Sequence, residues 1–152
     1  VHPALVGALQ SAGVPAVGVF GAVKAEQKAG PWGLVGTNVY ADRSVLDPII
    51  DAGKVPVIPT LAIGPSSLLN VNGDETAAGV ALALRAAKLV FITDVEGVLD
   101  ADKKLIARVP PEVSLLEAPF VSGGMKPKLR AVAAALAGGV SEVCVGKTVF
   151  GD

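Results

Sequence analysis

The segment Lys88-Leu89-Val90-Phe91-Ile92-Thr93-Asp94 constrains the fold of this chain more than any other. Its apolar residues run on without alternation, the pattern of a central strand in a parallel sheet buried on both faces. Residues 75–86, just before it, are rich in Ala and Leu and predict a helix. That helix opens on acidic residues, where its dipole favours them. Gly97 closes the tight turn after the strand.

The rest of the chain repeats this grammar. Residues 4–12 predict a short helix ended by Gly13, and residues 14–20 a strand. The Gly- and Pro-punctuated residues 21–33 read as a loop or hairpin start. Residues 34–40 form a short strand with Gly36 at a bend, and residues 44–52 a helix stopped by Gly53. Two prolines make residues 55–59 a buried or edge strand. Residues 68–74 read as a polar turn. Residues 127–137 predict a helix with Pro in its first turn and Gly138-Gly139 past its end. Residues 141–146 give the last strand. Helices alternating with strands over short connections predict an α/β fold, a three-layer αβα sandwich around a mainly parallel sheet. No internal repeat, low-complexity tract or dividing linker interrupts it.

Composition narrows the chemistry. Hydrophobic residues make up 51% of the 152 residues and charged ones 18%, which excludes a disordered chain. A net charge of −1 leaves no electrostatic footprint for nucleic acid or an anionic membrane. Little self-repulsion remains, so a homo-oligomer, dimer or higher, is expected. One Cys and one His exclude an internal disulfide, a multi-Cys zinc site and a His-based metal centre. The apolar region 77–92 is broken by Arg85 and Lys88 and does not read as a membrane span. The start, Val1-His2-Pro3, lacks the basic and apolar regions of a signal peptide. A cytoplasmic protein acting on a small molecule is therefore expected.

Ligands of open α/β sheets bind beyond strand carboxyl ends, against helix N-termini. Three segments occupy such places. Asn70-Val71-Asn72-Gly73-Asp74-Glu75-Thr76 puts two amides and a carboxylate at a helix start, as a ligand site or as plain capping. Thr93-Asp94-Val95-Glu96-Gly97-Val98 is a nucleotide ledge or an ordinary strand-end turn. Ser122-Gly123-Gly124-Met125-Lys126-Pro127-Lys128 sets lysines in the first turn of a helix, where a cation opposes the dipole unless an anion intervenes. The alternative is a solvated lysine. No Walker A loop and no G-x-G-x-x-G after a strand is present.

Taken in order, Asn70 to Ala78, Phe91 to Leu99 and Gly124-Met125-Lys126-Pro127-Lys128 resemble the amino acid kinase superfamily, its acetylglutamate kinases most of all. The similarity extends over most of the chain, including Gly33-Leu34-Val35-Gly36 and residues 55–59. The resemblance implies ATP-dependent phosphorylation of the side-chain carboxylate of N-acetyl-L-glutamate in arginine biosynthesis, giving an acyl phosphate. Mg²⁺ would arrive with the nucleotide, with no metal ligand from the protein. Lys128 would stabilise the transferring phosphoryl group, Asp74 would orient the catalytic lysines, and Asn70 would hold the acyl amino acid. Thr93, Asp94, Val95, Glu96, Gly97, Val98 and Leu99 would line the nucleotide site, completed by Phe120, Val121 and Ser122.

Family members open on a strand and a Gly-rich loop carrying a second catalytic Lys, and a further Gly loop and an Arg hold the substrate. Residues 1–60 show neither motif. The chain is therefore expected to be a partial kinase domain, inactive alone. Residues 1–66 would end the substrate lobe and residues 67–152 would form the nucleotide-binding lobe. A kinase for carrier-bound aminoadipate in lysine biosynthesis would share all three motifs. A nucleotide-binding module without catalysis is the remaining alternative.

Overall fold

A computed structural model describes residues 2–111 and 113–151. The chain is α/β, as the alternation of apolar segments predicts, and packs into two compact units, Val1–Thr76 and Ala77–Asp152.

The first unit begins with α1 (His2–Ser11) and β1 (Ala16–Gly18). A hairpin follows, β2 (Val23–Gln27) and β3 (Gly36–Ala41), then α2 (Arg43–Asp51) and the short strands β4 (Val55–Val57), β5 (Leu61–Ile63) and β6 (Leu68–Asn70). Strands β1 and β4 pair in parallel. The other four form a sheet in the order β3-β2-β5-β6. Ala22, Val23, Leu46, Ala62 and Leu69 are all but sealed from solvent and form its core. Helix α2 starts where Asp42 accepts a hydrogen bond from the Ser44 N–H at 3.0 Å and ion-pairs with Lys24 of β2 at 2.8 Å. These contacts, led by the Lys24 hydrogen bond, draw the Asp42 carboxyl down to about 2.

Two expectations change in this unit. Residues 21–33 contain the strand β2, which pairs with β3 despite a register irregularity between Lys24 and Glu26. Residues 68–74 contain β6, which pairs antiparallel with β5. Such strands are three to five residues long, too short to show a period, and pairing partners rather than local composition create them.

Helix α3 (Gly73–Leu84) carries the chain into the second unit. There β7 (Lys88–Phe91), β8 (Arg108–Val109), α4 (Met125–Ala137), β9 (Glu142–Val145) and β10 (Thr148–Gly151) follow. The sheet order is β7-β9-β10-β8, with β7–β9 and β10–β8 parallel and β9–β10 antiparallel. Phe91, Val143, Val145 and Phe150 of the sheet pack with Leu129, Val132 and Ala135 of α4 in one apolar cluster.

The continuous apolar run in β7 predicts burial on both faces, and the structure shows alternation instead. Phe91 is buried, whereas Val90 is 51% exposed and Ile92, just beyond the strand, 94%. Strand β7 stands at the edge of this sheet. Its core-facing residues are covered, and those on its other side are left to solvent.

Candidate functional site

The Asn- and Asp-rich segment before α3 divides its labour. Asn72 is the cap: its side-chain oxygen accepts the N–H groups of Asp74 at 2.9 Å and Glu75 at 3.1 Å. The Thr76 hydroxyl donates back to the Asn72 carbonyl at 2.8 Å. Capping therefore accounts for one of the three polar residues. Asn70 ends β6, its backbone N–H bonded to the Leu34 carbonyl at 2.8 Å and its side chain exposed. Asp74 stands partly buried in the first turn of α3. Both belong to the first unit.

The other predicted residues lie in the second unit. Beyond β7 the chain turns sharply, with the Val95 N–H directed at the Thr93 hydroxyl at 3.5 Å and that hydroxyl 3.3 Å from the Asp94 carboxylate. The side-chain acceptor for the turn's backbone N–H is thus Thr93, whose own hydroxyl faces the Asp94 carboxylate. The loop is fixed from behind by the turn joining β9 and β10. The Val98 N–H donates to the buried Thr148 hydroxyl at 2.8 Å, and the Lys147 N–H donates to the Glu96 carbonyl at 2.8 Å. Gly146-Lys147-Thr148 has the residues of a P-loop end but joins two strands, so it opens no helix.

Opposite lies the start of α4. Its N-cap, Gly124, offers no side-chain hydrogen bond. The Met125 and Lys126 N–H groups reach back to the Ser122 and Gly123 carbonyls at 3.2 and 3.3 Å, and Pro127 has no N–H. The helix end therefore presents few well-aligned backbone donors, and positive charge here comes mainly from side chains. Lys128 supplies it: its ammonium lies 5.0 Å above the Phe91 ring, an arrangement that favours a cation.

Two adjoining cavities fill the space between loop and helix. One, of about 540 Å³, is lined by Ile92, Thr93, Asp94, Val95, Ser122, Gly124, Met125 and Lys128. The other, of about 280 Å³, is lined by Val95, Gly97, Val98, Leu99, Phe120, Val121, Ser122 and Met125. They share Val95, Ser122 and Met125. One end is charged and polar, the other apolar, as a ligand with a charged tail and a flat apolar head requires.

The structure thus brings together Thr93, Asp94, Val95, Gly97, Val98, Leu99, Phe120, Val121, Ser122 and Lys128. Glu96 lines neither cavity, because its carboxylate pairs with Lys147 at 2.6 Å. Ile92, Gly124 and Met125 also line the cavities, although no site role was expected of them. Gly124 and Met125 fall within the Gly124-Met125-Lys126-Pro127-Lys128 motif, and Ile92 follows from its place at the end of β7. Nothing local to residues 146–148 marks their contact with the loop about fifty residues earlier.

Comparison with known proteins gives the family. Residues 1–147 match the amino acid kinase family. An acetylglutamate kinase of Rubrobacter xylanophilus is 40% identical over 145 residues, covering 92% of this chain and 57% of that enzyme. The chain thus spans little more than half of that relative's length. A protein of solved structure from Streptococcus mutans superposes with a TM-score of 0.85 at 25% identity, over 95% of this chain and 64% of the other. An N-acetylglutamate synthase from Neisseria gonorrhoeae, solved with coenzyme A and N-acetyl-glutamate, shares the fold, with a TM-score of 0.83 at 23% identity over 96% of this chain and 40% of its own.

Proposed function

The chain belongs to the amino acid kinase family, and from that premise we propose that its second unit holds MgATP for phosphorylation of the side-chain carboxylate of N-acetyl-L-glutamate. The observation that carries this is the pair of adjoining cavities, apolar beside Val98, Leu99 and Phe120, and charged beside Asp94 and Lys128. On this reading the apolar cavity takes the base and the charged one the phosphates.

The chain's residues suit that task. Phosphoryl transfer asks a protein chiefly for positioning and for positive charge around the transferring group. Lys128 projects from the first turn of α4, where an anion between ammonium and helix end relieves the unfavourable cation–dipole contact. A cation about 4 Å from a phosphoryl oxygen is worth roughly 4 kcal/mol at the effective dielectric of a protein surface. Mg²⁺, carried by the nucleotide, neutralises part of the phosphate charge. The acceptor carboxylate is already ionised at neutral pH, so no general base is needed, and the site accordingly contains no histidine. Asp74 orients catalytic cations and Asn70 binds the acyl amino acid. Residues 1–66 end the substrate lobe, and residues 67–152 form the nucleotide lobe. The assembled enzyme is a cytoplasmic homo-oligomer.

Titration calorimetry of the 152-residue chain with MgATP tests the cleft. Saturable binding is expected, with a Kd toward the upper end of the roughly 1 μM–1 mM range of enzyme KM values. Absence of binding overturns the proposal. In the full gene product, acyl phosphate trapped by hydroxylamine reports transfer to N-acetyl-L-glutamate. There Lys128→Ala is expected to lower kcat by about 10²–10³-fold, the scale for losing one electrostatic donor to a transition state. An unchanged kcat removes Lys128 from the mechanism.

A further inference from the structure

We propose that the β9–β10 turn, residues 146–148, is a positioning device for the loop 93–99, with the Thr148 hydroxyl as its principal contact. The inference rests on the reading of the cleft as a nucleotide site and names what holds that site in shape.

Each residue of the turn engages the strand and loop in sequence. The Gly146 N–H donates to the Phe91 carbonyl at 3.1 Å, and the Lys147 N–H to the Glu96 carbonyl at 2.8 Å. The Lys147 ammonium reaches the Glu96 carboxylate at 2.6 Å. The Thr148 hydroxyl accepts the Val98 N–H at 2.8 Å and is fully shielded from solvent. Of the loop residues held this way, Val98 itself lines the apolar cavity, and Glu96 stands between Val95 and Gly97, which line the cavities.

Glycines let the two segments approach this closely. A Cβ on Gly97 would lie 2.6 Å from the Thr148 hydroxyl oxygen, and one on Gly146 would lie 2.4 Å from the Glu96 carbonyl oxygen. The ends of the loop are therefore held to the sheet at hydrogen-bond distance, with no room for a side chain between. Thr148 touches no ligand in this arrangement and acts through Val98, so it is a positioning residue. Removing its oxygen leaves a buried N–H without an acceptor, which the loop can relieve only by moving.

The test compares Thr148→Val and Thr148→Ser by calorimetry with MgATP, with circular dichroism to confirm the fold. Thr148→Val keeps the shape and removes the acceptor, and a Kd weakened by about tenfold is expected, equivalent to about 1.4 kcal/mol. Thr148→Ser keeps the oxygen, and a Kd within about twofold of wild type is expected. Folded Thr148→Val with wild-type Kd overturns the inference. So does failure of Thr148→Ser to restore the affinity that Val loses. Should Thr148→Val not fold, Lys147→Met carries the test, because that ammonium is exposed and its loss leaves the core intact. A Kd weakened by about threefold is then expected, in line with an exposed pair, and an unchanged Kd overturns the inference. Absence of MgATP binding to the wild-type chain is a different result: it removes the nucleotide reading itself.

Discussion

Gly146→Ala exposes how tightly the β9–β10 turn is fitted. Gly146 has φ +54°, and a Cβ there would lie 2.4 Å from the Glu96 carbonyl oxygen, 2.9 Å from its carbon and 3.1 Å from the Val95 carbonyl oxygen. All three are backbone atoms, so no side chain can rotate away. The left-handed conformation costs an alanine about 1–2 kcal/mol. Relieving the collision means moving the 95–96 backbone by close to an ångström, which adds an overpacking cost of about 1–3 kcal/mol. A total near 3 kcal/mol is expected, a large part of the roughly 5–15 kcal/mol that stabilises an ordinary domain. Gly123→Ala is the matched control. Its φ is also +54°, yet nothing lies within 4 Å of the added Cβ, so it bears only the conformational cost. Urea denaturation followed by circular dichroism measures both. Gly146→Ala is expected to be destabilised by about 1–3 kcal/mol more than Gly123→Ala. Equal destabilisation would refute the argument from the Glu96 contact.

Three further substitutions test the first unit. Asn72→Ala removes the α3 cap and is expected to cost about 1 kcal/mol, whereas Asn70→Ala, whose side chain is exposed at the end of β6, is expected to leave stability nearly unchanged; denaturant titration that ranks them the other way refutes the division of roles. The Asp42 carboxyl sits at about 2 in the folded chain against an ordinary 3.8. Its contribution is therefore complete above the ordinary value and is lost as pH falls from about 4 toward 2. The Lys24 ammonium is raised by the same hydrogen bond, so its contribution fades as pH rises beyond 10.5. Melting temperatures of Asp42→Asn, compared with wild type across pH 2–5, are expected to lack the acidic part of this dependence; identical profiles refute it.

Much of this was legible in the sequence, and the rest was hidden for identifiable reasons. Helices α1, α2, α3 and α4 fall within a few residues of where capping, Gly stops and apolar spacing put them. Residues 93–99 and 120–122 all come from one unit, and nine of these ten line the two cavities. Strands β5, β6, β8 and β10 escaped notice because each is a short segment that owes its state to a partner strand, whereas the equally short β1, β4, β7 and β9 lie within longer apolar runs that the sequence shows. The apolar run of β7 gave its type but not its place, since Leu89, Val90 and Phe91 read alike at a sheet's centre or edge. The two glycines of the tight approach, Gly97 and Gly146, carry no local sign of each other, because a contact across about fifty residues leaves no periodicity.

The start of α4 sets stability against use. Gly124 has ordinary helical angles and open space where a side chain would go, so nothing steric forbids a better cap. An aspartate there would place a carboxylate favourably at the helix end, yet on the proposed reading it would stand where the nucleotide's phosphates bind and would draw Lys128 to itself. If that reading holds, selection for robustness alone would favour the aspartate and selection for turnover would reject it. A stabilising screen of this protein is therefore expected to find Gly124→Asp among its gains, and an activity screen to discard it.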